Sequence, residues 1–393
     1  MAPKKETAAP DASVGADAGQ PLRLYNPMYP SNITETGSEC NEELEDIEDD
    51  DAFMRRLERM QNPDFLNTVS FNDLMDETLP YRRAVIEGLL GTGAYILAGA
   101  PKIGKSFLVA LIAYRVSTGS ELWEYKVHPG TVLYLALEDD KKRLQERMSR
   151  MFGVEGTDKL YFATEAGQIG KDLDVQLENF IREHPDTILV VVDTLQKVRE
   201  MTGDSYSYAS DYEVIGALKQ FADTHNICVL IVHHTRKQPA GDNFETISGT
   251  TGLLGCADGA LLMQKIKRTD SAAVLEIVSR DQPDQKLHLV KNQDSLVWEL
   301  DHADTELWKE PPDPVLQRIA VLVNEAAPVW EGTPTELSEQ IQTDMAPNHL
   351  SRHLNVNAGR LRREYSIHYA NMKRHSGRYI RMTYLPENQP DGL

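Results

Sequence analysis

The chain has 393 residues, 41% of them hydrophobic and 26% charged, an ordinary balance for globular protein with room for two or three domains. No run of eighteen apolar residues occurs and the N-terminal stretch has no apolar segment, so neither a membrane span nor a secretory signal is expected; the three cysteines show no metal-ligand spacing and fit a reducing cytoplasm. The formal net charge of −20 would argue against a nucleic-acid partner if it were evenly spread, and it is not.

Residues 1–52 include an acidic run at 42–51 and little apolar content, so a disordered acidic tail is expected. Residues 53–92 read as an N-terminal helical or linker segment, with an amphipathic stretch at 53–60. From 93 to 305 short apolar runs, at 95–98, 132–137, 188–192, 229–232 and 260–263, alternate with helix-like segments that include 141–152, 175–183 and 212–225. Continuous Val/Ile/Leu strands alternating with helices predict an α/β domain: a parallel sheet with helices on both faces. Two further strands, 274–278 and 286–290, are expected at the end of that sheet.

Residues 306–314 form a Pro-rich linker, through Pro311, Pro312 and Pro314. Residues 315–385 predict a small second domain. A helix covers 315–326. A second opens at Thr333, with Pro334 and Glu336 in the positions of a capped first turn. A third lies within 347–364, and two strands cover 367–373 and 378–384. Three helices and a hairpin make a winged helix. Between 352 and 381, Arg352, Arg360, Arg362, Arg363, Lys373, Arg374, Arg378 and Arg381 stand against Glu364 alone. That balance is the footprint of a surface for duplex DNA phosphates, although winged helices also dock proteins.

The most specific motif is Gly99-Ala100-Pro101-Lys102-Ile103-Gly104-Lys105-Ser106, which reads G-x-x-x-x-G-K-S and is followed by Phe107. A strand-like run precedes it and a helix-like run follows it. Its glycines let backbone N–H groups wrap a phosphate at a helix N-terminus. Lys105 is expected to reach the β- and γ-phosphates of ATP, and Ser106 to hold Mg²⁺. The run 188–192 ends in Asp193, the expected second Mg²⁺ group. The run 132–137 ends in Glu138, Asp139 and Asp140; Glu138 is the expected general base for water, with Asp139 and Asp140 as helix caps. The run 229–232 ends in His233 and His234, and His234 is placed to sense the γ-phosphate. No cysteine or carboxylate stands at ligand spacing beside this pair, which argues against a metal there. Two long polar segments, 197–212 and 236–255, are either DNA-contacting loops or plain surface loops.

Taken in order, GAPKIGKS, VLYLALEDD, ILVVVDTLQKVR, VLIVHHTRK and SGTTGLLGCADGALLM resemble the RecA-like ATPase core of RepA-type replicative helicases, the hexameric plasmid and phage proteins related to DnaB. The resemblance covers roughly residues 75–300. It implies a RecA-like P-loop NTPase fold, a hexameric ring with ATP sites between subunits, and translocation on single-stranded DNA. It also implies an arginine finger from the neighbouring subunit, at the place matched by Arg280, with Lys265 and Lys267 as alternatives. Two departures from that family are expected: no primase-binding helical domain like that of DnaB ahead of the core, and a winged helix added to it. A non-translocating DNA-binding ATPase that regulates or loads replication factors is therefore the rival reading, and a KaiC-like or RadA-like ATPase a third.

Overall fold

The computed structural model describes residues 62, 64–66, 68–199, 208–235, 255–265, 270–305, 311–374 and 377–386. Residues 1–67 form one unit, of which only 62 and 64–66 are described, and residues 68–393 form the other. The expected acidic tail, the stretch at 53–60, the loop residues 200–207 and 236–254, and Lys267 lie outside the described residues.

In the second unit a short helix, α1 (Phe71–Asp76), precedes the main sheet. The sheet strands are β1 (Gly93–Gly99), β2 (Thr131–Ala136), β3 (Leu160–Ala163), β4 (Thr187–Asp193), β5 (Cys228–His234), β6 (Gly259–Gln264), β7 (Ala272–Ser279), β8 (Gln285–Lys291) and β9 (Trp298–Ala303). Between them run α2 (Lys105–Thr118), α3 (Lys141–Phe152), α4 (Leu173–Glu183), α5 (Leu195–Val198) and α6 (Tyr208–His225). The spatial order is β3-β2-β4-β5-β1-β6-β7-β8-β9. From β3 to β6 every pairing is parallel, and β7, β8 and β9 then continue as an antiparallel meander. This is the α/β arrangement expected of a RecA-like P-loop fold.

The central strands are apolar throughout because both faces are covered. Tyr95, Leu97, Val132, Tyr134, Leu189, Val191, Leu230 and Val232 pack on one face with Leu108, Leu111 and Ile112 of α2. The alternate residues Ala94, Ile96, Leu133, Leu135, Val190, Val192, Val229 and Ile231 pack on the other with Leu177 of α4 and Ile215 and Leu218 of α6. The period of two along each strand is what divides these sets. Two strands of this sheet escaped the sequence reading. β3 is a four-residue edge strand with only partial burial, and β9 carries an apolar signal only at its start. The run of β3, Leu160-Tyr161-Phe162-Ala163, is apolar but lacks the Val/Ile/Leu-rich character of a central strand, and β9 has no continuous apolar run.

The C-terminal part contains α7 (Pro314–Leu322), β10 (Val329–Gly332), α8 (Pro334–Gln340), α9 (Pro347–Tyr365), β11 (Ile367–Arg374) and β12 (Gly377–Tyr384). Its three strands form a separate sheet in the order β10-β12-β11. It has its own core of Leu316, Ile319, Leu337, Leu350, Leu354, Leu361, Ile367, Ile380 and Met382. Thr333 caps α8 through the reciprocal bonds with Glu336 that the sequence pattern predicts. The helix expected over 315–326 ends at Leu322, because Asn324 opens a turn closed by Ala327.

Candidate nucleotide site

The loop Gly99–Ser106 joins β1 to α2. Ala100, Pro101 and Lys102 are exposed, while Ile103 tucks into the core. Gly104 has φ of 112°, and a Cβ there would come 2.8 Å from Trp298 Cζ2. Trp298 Nε1 donates to the Gly104 carbonyl at 3.1 Å, so the start of β9 braces the phosphate loop. Gly104→Ala is expected to strain the loop by about 1–3 kcal/mol. It should weaken nucleotide binding in a fluorescent-nucleotide titration while the far-ultraviolet circular dichroism stays that of the parent. Parent-like binding would show that the loop tolerates the shift.

Lys105 is buried at the first turn of α2. Its Nζ donates to the carbonyls of Gly99 at 2.7 Å and Ala100 at 3.1 Å, and lies 3.0 Å from His234 Nδ1. Burial lowers the Lys105 ammonium to about 8, against the opposing pull of Asp193 and Glu138. His234 ends β5, the strand paired with β1 with Gly99 and His234 in register. Its other nitrogen, Nε2, lies 3.8 Å from Glu138 Oε1. Burial first, and then the Lys105 charge, lowers the His234 imidazole. The His234 imidazole therefore lies between the Lys105 ammonium and the Glu138 side chain.

Asp193 ends β4 and is buried. Its carboxyl is raised by burial, opposed by hydrogen bonds from Ser106 and Tyr134. Tyr134 Oη donates to Asp193 Oδ2 at 2.9 Å. The hydroxyl of Ser106 and the carboxylate of Asp193 are thus neighbours at the site. Two hard oxygen groups beside a phosphate loop fit Mg²⁺, which takes few protein ligands and keeps most of its waters.

Glu138, just past β2, accepts a hydrogen bond from Thr194 Oγ1 at 3.1 Å. Its two acidic neighbours differ from the sequence expectation. Asp140 does cap α3, accepting from the Arg143 N–H at 2.8 Å. Asp139 does not. It is held by Arg147 at 2.6 and 3.1 Å in a two-point ion pair, since its place before the cap turns it toward the helix flank.

The fold therefore brings Lys105, Ser106, Glu138, Asp193 and His234 together at the C-terminal ends of β1, β2, β4 and β5. Arg280 is not brought there. In register, Ser279 pairs with Gly259 and Gly259 with Tyr95, four residues before Gly99. At ~3.3 Å per residue that is about 13 Å below the loop, at the other end of the sheet. Arg280 donates to the Gly255 carbonyl at 2.7 Å and lies 3.7 Å from Asp258 Oδ1.

Around Phe107, the last residue of the expected nucleotide-binding loop, stand side chains that carried no motif. Phe107, next to Ser106, has Lys291 Nζ 3.4 Å above its ring and the Arg147 guanidinium at 5.2 Å. Lys265 Nζ lies 5.4 Å from the Trp298 ring. Burial, and then the charges of Lys265, Arg147 and Arg150, lower the Lys291 ammonium to about 8. Lys291 and Lys265 beside the loop add positive charge that favours a polyanion. Tyr134 alone had a legible signal, as a polar-tipped residue inside an otherwise aliphatic strand.

The basic C-terminal region is less free than its sequence suggests. Arg352 and Arg378 both pair with Asp76, Arg360 and Arg363 with Glu364, and Arg381 with Glu331. Two of these carboxylates, Asp76 and Glu331, come from outside the 352–381 window, so a charge count within it misses them.

Residues 55–240 match the family model described as AAA domain. The chain is similar to the DNA repair protein RadA of Streptococcus pneumoniae, 25% identical over 175 residues, a match covering 44% of this chain and 37% of that protein. The chain thus spans little more than a third of that relative's length. Among solved structures, an ATPase domain shares 16% identity with a TM-score of 0.44, covering 65% of this chain and 99% of that one. A DnaB-like replicative helicase shares 14% identity with a TM-score of 0.44, covering 64% and 66%. Among the described residues no helix is long and apolar enough to cross a membrane.

Proposed function

We propose that the chain is an ATP-hydrolysing DNA helicase or translocase of the RepA type, working as a homo-hexameric ring in the replication of a plasmid, phage or mobile element. The observation that carries the reading is the run of contacts Lys105–His234–Glu138 beside the Ser106–Asp193 pair. Bound Mg²⁺ would be held through Ser106 and Asp193 and would supply charge neutralisation for the phosphates. Lys105 holds the β- and γ-phosphates, the loop backbone of Gly99 to Phe107 positions them, and Glu138 accepts the proton of the attacking water. When the γ-phosphate leaves, Lys105 regains its contact with His234, and β5 carries that change to the loop that follows it.

Arg280 serves the neighbouring subunit's site, since its own loop is at the far end of the sheet. That placement gives a test. Mixtures of Arg280→Ala and Lys105→Ala subunits should recover ATP turnover, because some interfaces then pair an intact loop with an intact finger. Mixed oligomers, verified by differential tags, that recover nothing would remove Arg280 from the role.

The C-terminal order helix, strand, helix, helix, strand, strand supports a winged helix, with α9 as the helix offered to duplex DNA and single-stranded DNA passing through the ring. The ion pairs that occupy Arg352 and Arg378 favour a second reading, a non-translocating ATPase in which this module is regulated. Strand displacement on a forked DNA separates the two: a translocase releases the strand with ATP, whereas the regulator hydrolyses ATP and leaves the fork paired.

A further inference from the structure

Asp76, at the end of α1, lies between two arginines of the C-terminal region. Its Oδ1 accepts from Arg352 Nε at 2.7 Å, and its Oδ2 lies 2.5 Å from a terminal nitrogen of Arg378. Arg352 belongs to α9 and Arg378 to β12, so one carboxylate joins the helix to the hairpin. The two guanidiniums hold the Asp76 carboxyl down at about 2.

This is more than a surface ion pair. Asn355, buried on α9, donates to the Met75 carbonyl at 3.0 Å. Its Oδ1 accepts from Thr78, Tyr369 and Asn371, each at 3.0 Å. Tyr81 covers Gly359, where an added Cβ would run into the Tyr81 ring. The segment around Asp76 is therefore seated on α9. A few residues later the same segment enters the ATPase core at Val85 and Ile86. A cavity of about 380 Å³ opens beside the ion pairs, lined by Asp76, Arg352 and Arg378 together with Thr335 of α8 and Asn348 of α9.

Two guanidiniums from a helix and a hairpin converging on one pair of oxygens form a site for a phosphate, whose anionic oxygens take forked donors. A carboxylate stands there instead. We propose that Arg352 and Arg378 form a binding site for a backbone phosphate of duplex DNA, and that Asp76 closes this site as an internal substitute for the phosphate. DNA and Asp76 then compete for the same two arginines, and DNA binding loosens the hold of the segment that leads into the ATPase core. The inference rests on the reading of the C-terminal module as DNA-binding.

Fluorescence anisotropy of the full chain with a short labelled duplex at low salt tests it. Asp76→Asn keeps the side-chain shape and removes the competitor, and should bind about tenfold more tightly than the parent. Arg352→Ala and Arg378→Ala should each bind about fivefold or more weakly. Glu77→Gln removes the same charge one residue away and should stay within about twofold of the parent. Asp76→Asn and Arg352→Ala break the same ion pair, so a strut whose loss merely loosens the module would shift both in one direction. Opposite signs are the mark of a competitor. Placing Asp76→Asn in the Arg352→Ala, Arg378→Ala background should add nothing. If Asp76→Asn binds no more tightly than Glu77→Gln while the arginine variants bind more weakly, the competition is rejected and DNA binding by the module stands. If parent and Asp76→Asn both ignore DNA, or the arginine variants match the parent, the DNA reading fails and the competition fails with it.

Discussion

Lys105→Ala is expected to reduce ATP turnover by at least about a hundredfold, the cost of removing one preorganised donor to developing charge, and more because Lys105 is a full cation. Its ammonium is already oriented at the carbonyl end of β1 by Gly99 and Ala100, so little reorganisation accompanies phosphate binding. Burial lowers it to about 8 in the free chain. A bound triphosphate favours the charged form and raises it again. Below about pH 8 the proton is already present and binding takes up none; above it, binding must capture one, and affinity falls as pH rises. Calorimetric titration at about pH 8.5 in buffers of different ionisation enthalpy should show net proton uptake by the parent and less of it by Lys105→Ala. Equal uptake by both would assign the titration to another group, with Lys291 the first candidate because it is lowered to the same range.

Glu138→Gln is expected to separate binding from chemistry. Glu138 is half-exposed at the mouth of the site, tied to Thr194 and facing His234. The amide preserves the shape and can still accept from Thr194, but it cannot take a proton from water. Nucleotide affinity should therefore stay near the parent value, while single-turnover hydrolysis falls by about 10²–10⁴-fold. Asp139 is not available to substitute, because Arg147 holds both its oxygens. Hydrolysis by Glu138→Gln at near the parent rate would place the base elsewhere.

Features that depend on near neighbours along the chain are legible in the sequence. The phosphate loop between a strand and a helix, the aliphatic runs of the central strands, the Thr333–Glu336 cap and the helices and hairpin of the C-terminal region all arise from local periodicity and turn chemistry. A strand buried on both faces must be apolar at every position, so β1, β2, β4, β5 and β6 are legible, and the acidic or histidine residues that end them stand out. How those ends converge follows from strand order and packing, which local pattern does not carry. The order β2-β4-β5-β1 sets Glu138, Asp193 and His234 around Lys105, whereas the antiparallel turn from β6 to β7 carries Arg280 to the opposite end of the sheet. Trp298 reaches Gly104 across 194 residues of chain, and Asp76 reaches Arg352 across 276. Such contacts leave no periodic trace, because a tryptophan or an aspartate placed for a distant partner looks locally like any other. The charge of the C-terminal region shows the same limit. Its arginines are visible in sequence, but two of the carboxylates that pair with them, Asp76 and Glu331, are brought in by folding, and electrostatic interaction depends on distance in space rather than along the chain.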